Sequence, residues 1–105
     1  MKLGFSELTK RINLNKGWIP DIFLSQEERN YSFVHIDVDL YKPTFDSHKY
    51  FFQRLSKGGI IVCDDYGYDQ FPGASLAVDE FISSISKDSY SYFFKHPFGT
   101  SVIIK

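Results

Sequence analysis

Cysteine, basic excess and long apolar runs are what this sequence has least of. One cysteine, Cys63, in 105 residues cannot close an internal disulfide. That argues for a reducing compartment, and a cytoplasmic location is expected. Set in an apolar run, Cys63 reads as a packing residue. Lys and Arg number 12 against 13 Asp and Glu, for a net charge of −1. No basic surplus is available to hold a polyanion, so nucleic acid is not expected as a partner. No apolar run approaches the roughly 18 residues of a membrane span. The opening MKLGFSELTK lacks the apolar centre of a secretory leader. Repeats and low-complexity tracts are absent.

What is abundant is aromatic surface: 11 Phe and 7 Tyr, 18% aromatic with Trp18. Such a chain must bury that surface or find a partner to cover it. Its length suffices for one modest core and not for two ordinary domains, so residues 1–105 are expected to form a single domain.

Alternation and punctuation predict the elements. Residues 3–10 read as the tail of a helix or a frayed start, and 11–18 as a short strand with Ile12 and Leu14 on one side. Residues 19–30 read as a short helix, with Pro20 and Asp21 suited to its first turn. The apolar run 32–40 predicts a strand covered on both faces. Residues 43–59 predict a helix with Phe45, His48, Phe52 and Leu55 on one stripe, stopped by Gly58 and Gly59. Residues 59–65 predict a second buried strand. A helix follows within 70–86, striped by Ala74, Ala77, Val78, Phe81 and Ile85. Runs 90–96 and 100–105, joined by Pro-Phe-Gly, predict a hairpin. Strands alternating with helices imply right-handed crossovers and a mainly parallel sheet, to which the hairpin adds an antiparallel edge.

Both central strands end in acids: Asp37 and Asp39 in VHIDVDLYKPT, Asp64 and Asp65 in GGIIVCDDYG. Asp37 and Asp64 are 27 residues apart, one strand-helix-strand unit. Open sheets of this kind present ligands at the carboxyl ends of their strands. Neighbouring strands lie about 4.8 Å apart, close enough for such carboxylates to share one ion. Three hard oxygen donors suit Mg²⁺, and a cation relieves the repulsion that clustering otherwise creates. The competing reading is that these acids cap turns in solvent. His35 alternates with Asp37 and so shares its side of the strand; it reads as a hydrogen-bonded strand histidine. His48 and His96 show no ligand spacing. Trp18 could border a cofactor pocket or sit in the core.

The stretch HIDVDLYKPTFDSHKYFFQRLSKGGIIVCDDYGYDQFPGASLAVDEF resembles the macrocin O-methyltransferase family, S-adenosylmethionine-dependent enzymes that methylate sugar hydroxyls. The shared pattern is acid-x-acid-Leu-Tyr, a helix ending in Gly-Gly, an apolar strand into Asp-Asp-Tyr, then Pro-Gly and an Ala-Val-Asp helix. It runs in order over about 12–105 and is specific over 35–81. Val38 stands where the family usually has Gly. The resemblance implies a class I methyltransferase fold of Rossmann-like α/β type and a Mg²⁺ site from Asp37, Asp64 and Asp65. It makes Asp37 the general-base candidate and the acceptor a sugar or glycoside. Asp39 would support the site from behind the ligands, or else bond to the helix start near Thr44. Tyr41 and Tyr66 would line the substrate pocket, or pack with one polar tip in water.

The family's first strand carries a Gly-rich cofactor loop, and its second ends in an acid for the ribose. This chain has no G-x-G-x-x-G and no room for those elements before residue 12. It is therefore expected to be the carboxyl half of such a fold, lacking the first two strands. Bound S-adenosylmethionine is expected only if the amino half is supplied. An apolar edge left open beside the 32–40 strand favours homo-oligomers or association through that edge. Two other readings remain: an inactive remnant serving as an interaction or metal-binding module, and a nucleotide-sugar transferase fragment built around Asp37-Val38-Asp39.

Overall fold

In a computed structural model the described residues are 10–64, 72–97 and 99–105. The predicted helix tail at 3–10 falls almost wholly outside them, as do Asp65 and Tyr66. Four strands form one sheet: β1 (Tyr31–Ile36), β2 (Leu55–Asp64), β3 (Tyr92–His96) and β4 (Thr100–Ile104), in the order β1-β2-β4-β3. β1 and β2 run parallel; β2–β4 and β4–β3 are antiparallel. Helices α1 (Tyr41–Gln53) and α2 (Pro72–Ser84) connect them.

β1 is built from β-branched and aromatic residues and stops at Ile36, four residues short of the predicted 40. Asp39 forces the stop. Its φ of 63° lies in the left-handed region, which Asp tolerates better than most residues, and Leu40 N–H donates to the Val38 carbonyl at 2.6 Å. The chain then turns into α1, whose first helical bond runs from Thr44 N–H to the Leu40 carbonyl at 3.1 Å. Pro43 thus sits in the first turn, where no N–H is required.

α1 ends at Gln53, well before the glycines expected to stop it. Leu55 is already strand, paired with Tyr31, and residues 56–59 bulge out before Ile60 rejoins the ladder opposite Phe33. Gly58 belongs to that bulge rather than to a helix end: its φ of 82° is one that L side chains rarely adopt.

The expected strand at 11–18 does not form; that segment is irregular and exposed, with Leu14 92% and Trp18 85% accessible. Alternation there meets no neighbouring strand to pair with, and Trp18 joins neither core nor cleft. With that strand gone, one pair of the sheet is parallel instead of most. The helix expected at 19–30 shortens to a 3-10 turn, Asp21–Ser25. It is held to α1 by Phe23, which stacks on Tyr50 at 4.2 Å and meets Phe51 edge-on at 5.3 Å.

The core lies between one sheet face and the two helices. Val34, Ile36, Ile61, Cys63 and Ile103 are buried from the strands, Phe52 from α1, and Val78 and Phe81 from α2. Cys63 packs there as expected. The helix stripe is Thr44, Ser47, His48 and Phe52 facing Ala74, Ala77, Val78 and Phe81, small residues that let the two helices approach closely. A Cβ on Gly73 would lie 3.1 Å from the Tyr41 backbone nitrogen, another sign of that closeness. No helix among the described residues is long and apolar enough to cross a membrane.

Candidate active site

The parallel pair sets the site. His35 is in register with Val62 and Ile36 with Cys63; Asp37 follows the last paired residue of β1 and Asp64 ends β2. The alternation that sends Ile36 and Cys63 into the core leaves His35 and Asp64 on the opposite face. There the His35 Nε2–H donates to Asp64 Oδ2 at 2.9 Å, a diagonal cross-strand contact with both side chains roughly half exposed.

Asp37 itself is exposed. It borders a cleft of about 400 Å³ between the β1 edge and the segment around the 3-10 turn. Ile22, Phe23, Tyr31 and Phe51 give the cleft an apolar wall, while His35 and Asp37 make its polar end. Asp64 is not part of that lining; His35 links it to the cleft. The structure therefore joins His35 to Asp64 and places Asp37 with His35 on the cleft. Asp39 occupies the tight turn after β1, and the cap residue of α1, Leu40, receives no side-chain capping bond.

Tyr41 starts α1. Its hydroxyl donates to the Glu80 carboxylate on α2, and its ring lies nearly parallel to that of Phe45 at 6.1 Å. The hydrogen bond to Glu80 raises the phenol pKa above its usual value; desolvation and the negative charges of Glu80 and Asp46 add to that. The hydroxyl is thus committed to α2. His48 is fully buried; its Nδ1–H donates to the Thr44 carbonyl at 2.8 Å, and among the described residues Nε2 has no partner. Burial lowers its pKa, only partly offset by the bond to Thr44. It belongs to the helix interface, away from the acids.

Sequence reasoning placed His35 on the correct side of β1 but missed its partner.

Carboxylate oxygens such as those of Asp37 and Asp64 are donors that suit a hard cation. Among the described residues, however, no group of three His, Cys, Asp or Glu could hold an ion. Asp65, the third expected carboxylate, lies outside them.

The model of the macrocin O-methyltransferase (TylF) family matches residues 3–87. The chain belongs to that family. It is 31% identical over 62 residues to the 8-demethyl-8-(2,3-dimethoxy-alpha-L-rhamnosyl)-tetracenomycin-C 4′-O-methyltransferase of Streptomyces olivaceus, covering 59% of this chain and 24% of that one. It is 27% identical over 78 residues to the demethyldecarbamoylnovobiocin O-methyltransferase of Streptomyces niveus, covering 74% and 29%. Among solved structures, the O-methyltransferase NovP superposes with a TM-score of 0.61 at 24% identity, over 72% of this chain and 30% of that one. CalS11, a TDP-rhamnose 3′-O-methyltransferase of calicheamicin biosynthesis, gives 0.61 at 19% identity over 82% and 36%. These likenesses establish the class I methyltransferase fold. The chain spans about a quarter to a third of the length of these relatives.

Proposed function

We propose that this chain is the carboxyl-terminal portion of an S-adenosylmethionine-dependent O-methyltransferase that acts on a sugar hydroxyl with Mg²⁺ assistance. The observation that carries it is the match to the family over residues 3–87, in a chain whose parallel strands β1 and β2 lead into Asp37 and Asp64. Support for the acceptor class comes from the tetracenomycin and calicheamicin relatives, whose names specify rhamnose sugars.

Asp37, Asp64 and Asp65 would hold the metal. When bound, S-adenosylmethionine supplies the methyl group, and Mg²⁺ lowers the pKa of the acceptor hydroxyl. The chain's own part is proton transfer and placement. Asp37, open to the cleft, would be the base that accepts the acceptor hydroxyl's proton. The apolar wall of Phe23, Tyr31 and Phe51 orients the acceptor; Tyr41, bonded to Glu80 on α2, is not part of that wall.

The test is methyl transfer from labelled S-adenosylmethionine to a panel of rhamnosyl and TDP-deoxysugar acceptors, with Mg²⁺ and with chelator. Asp37→Asn should lower the rate by about 10²–10⁴. Full activity in Asp37→Asn would remove Asp37 from the proton transfer, and full activity in chelator would remove the metal.

A second reading, an inactive module that works by association, is favoured by one observation. The sheet face opposite the helices is apolar and uncovered, with Phe33 60%, Tyr92 52% and Phe94 40% accessible. Homo-oligomers or union with another polypeptide through this face and the β1 edge would cover it. Calorimetric titration with S-adenosylmethionine separates the two: binding by the chain favours the enzyme, and silence together with a higher-order mass favours the module.

A further inference from the structure

We infer that His48 is an acid-operated release in the seam between α1 and α2: proton uptake at its Nε2 parts the two helices while the sheet stays paired.

The seam is where the core is least satisfied. The strands contribute Val34, Ile36, Ile61 and Ile103, all apolar. α1 instead sets Thr44 and His48, one turn apart and both buried, against α2. Among the described residues neither Thr44 Oγ1 nor His48 Nε2 has a hydrogen-bond partner, and Ser101 Oγ on β4 is a third such atom. Because His48 Nδ1–H donates to the Thr44 carbonyl at 2.8 Å, Nε2 is left as a lone acceptor with no donor to meet it. A buried acceptor without a partner carries its full desolvation cost. α2 offers only Ala74, Ala77, Val78 and the Phe81 ring, whose centre is 5.5 Å from that of the imidazole. Segments with few satisfied buried contacts are those that open before the whole fold does.

The surroundings hold no counter-charge for an imidazolium. On α1, Asp46 is paired with Lys42 at 2.6 Å and Lys49 is exposed. On α2, Glu80 accepts from the Tyr41 hydroxyl, and Asp79 lies 3.4 Å from Lys95 of β3. The sheet presents the Cys63 thiol and, just past β4, the Lys105 ammonium, a cation that donates to the Phe52 carbonyl at 2.8 Å. Burial lowers the His48 pKa, offset only in part by the bond to Thr44. The closed seam therefore prefers the neutral ring and the parted seam the charged one. Closure is fully favoured above about pH 6.5 and weakens below it. Residues 37–40 alone separate β1 from α1, so parting the helices also frees the turn that carries Asp37 and Asp39.

The test is hydrogen exchange of the chain from pH 8 to 5, corrected for the intrinsic pH dependence of exchange, beside a ¹³Cε1 titration of the imidazole. Below about pH 6.5 the amides of α1 and α2 should lose protection by up to about tenfold per pH unit, and those pairing β2 with β4 by less. The His48 signal should remain that of the neutral ring at about pH 6.5, where a free imidazole is half charged. His48→Leu and His48→Gln, neither of which titrates, should both remove the pH dependence from the helices. If either folded variant keeps it, His48 is not the release. Helices and sheet losing protection together would make the acid effect global unfolding and overturn the inference. An imidazole that titrates near its ordinary value while helix protection stays unchanged would do the same.

Discussion

The two faces of the sheet are made from the same strands and behave as different materials. On the covered face, Ile61 and Ile103 are wholly inaccessible beneath α1 and α2. On the other, Phe33, Ile60, Ile104 and Tyr92 form one apolar rung across the four strands, and His35, Val62, Val102 and Phe94 form the next. An apolar residue on each side of a strand is the pattern of a sheet layered on both faces. Only one layer, of two helices, is present among the described residues. The covered face holds the fold together, while the open face carries the polar site at its carboxyl edge and otherwise waits for a cover.

The largest effect separating the faces should come from cavity formation. Ile61→Ala or Ile103→Ala should cost about 2–5 kcal/mol in urea unfolding. Val62→Thr, one residue along β2 but on the open face, should stay within about 1 kcal/mol. Equal losses would mean that the open face is packed in solution.

Next in size is the pH dependence of the covered side. Burial holds the pKa of His48 below its ordinary 6.5, so the unfolded chain takes up a proton that the folded chain refuses. Stability is therefore complete above about pH 6.5 and falls as the pH drops toward the lowered folded value, by at most about 1.4 kcal/mol per unit. Melting curves from pH 8 to 5 check the slope, and His48→Gln should flatten it.

Smaller still in stability, though visible in mass, is polar substitution of the open face. Tyr92→Ser with Phe94→Ser should lower the apparent mass in light scattering and change the unfolding free energy by about 1 kcal/mol or less. Tyr41→Phe, which removes an exposed hydrogen bond to Glu80, should leave the melting curve essentially unchanged.

How far the sequence discloses this molecule depends on whether a pattern has a partner. The stripe Ala74, Ala77, Val78 and Phe81 is legible because a helix carries its own period, and these four are buried as expected, while Ile85, the fifth of the expected stripe, lies past the helix end and is only partly buried. The closing hairpin is legible because Pro97 and Gly99 sit between two β-rich runs that pair with each other. Ile12 and Leu14 alternate just as well, but no strand lies beside them, so alternation misleads there. Gly58 and Gly59 look like a helix stop because local sequence cannot tell a C-terminal cap from a strand bulge; both want glycine. For the site, the spacing of Asp37 and Asp64 discloses the strand-helix-strand unit that separates them. The bond from His35 to Asp64 is not disclosed, because a diagonal contact depends on register to the residue.

The central claim is that the ends of β1 and β2 gather carboxylates around one divalent cation. Paramagnetic broadening of the amide spectrum by substoichiometric Mn²⁺ tests it most directly. Signals of residues 36–38 and 63–65 should vanish first, recover on addition of excess Mg²⁺, and persist in Asp64→Asn. Broadening centred elsewhere, or none at these strand ends, would contradict it.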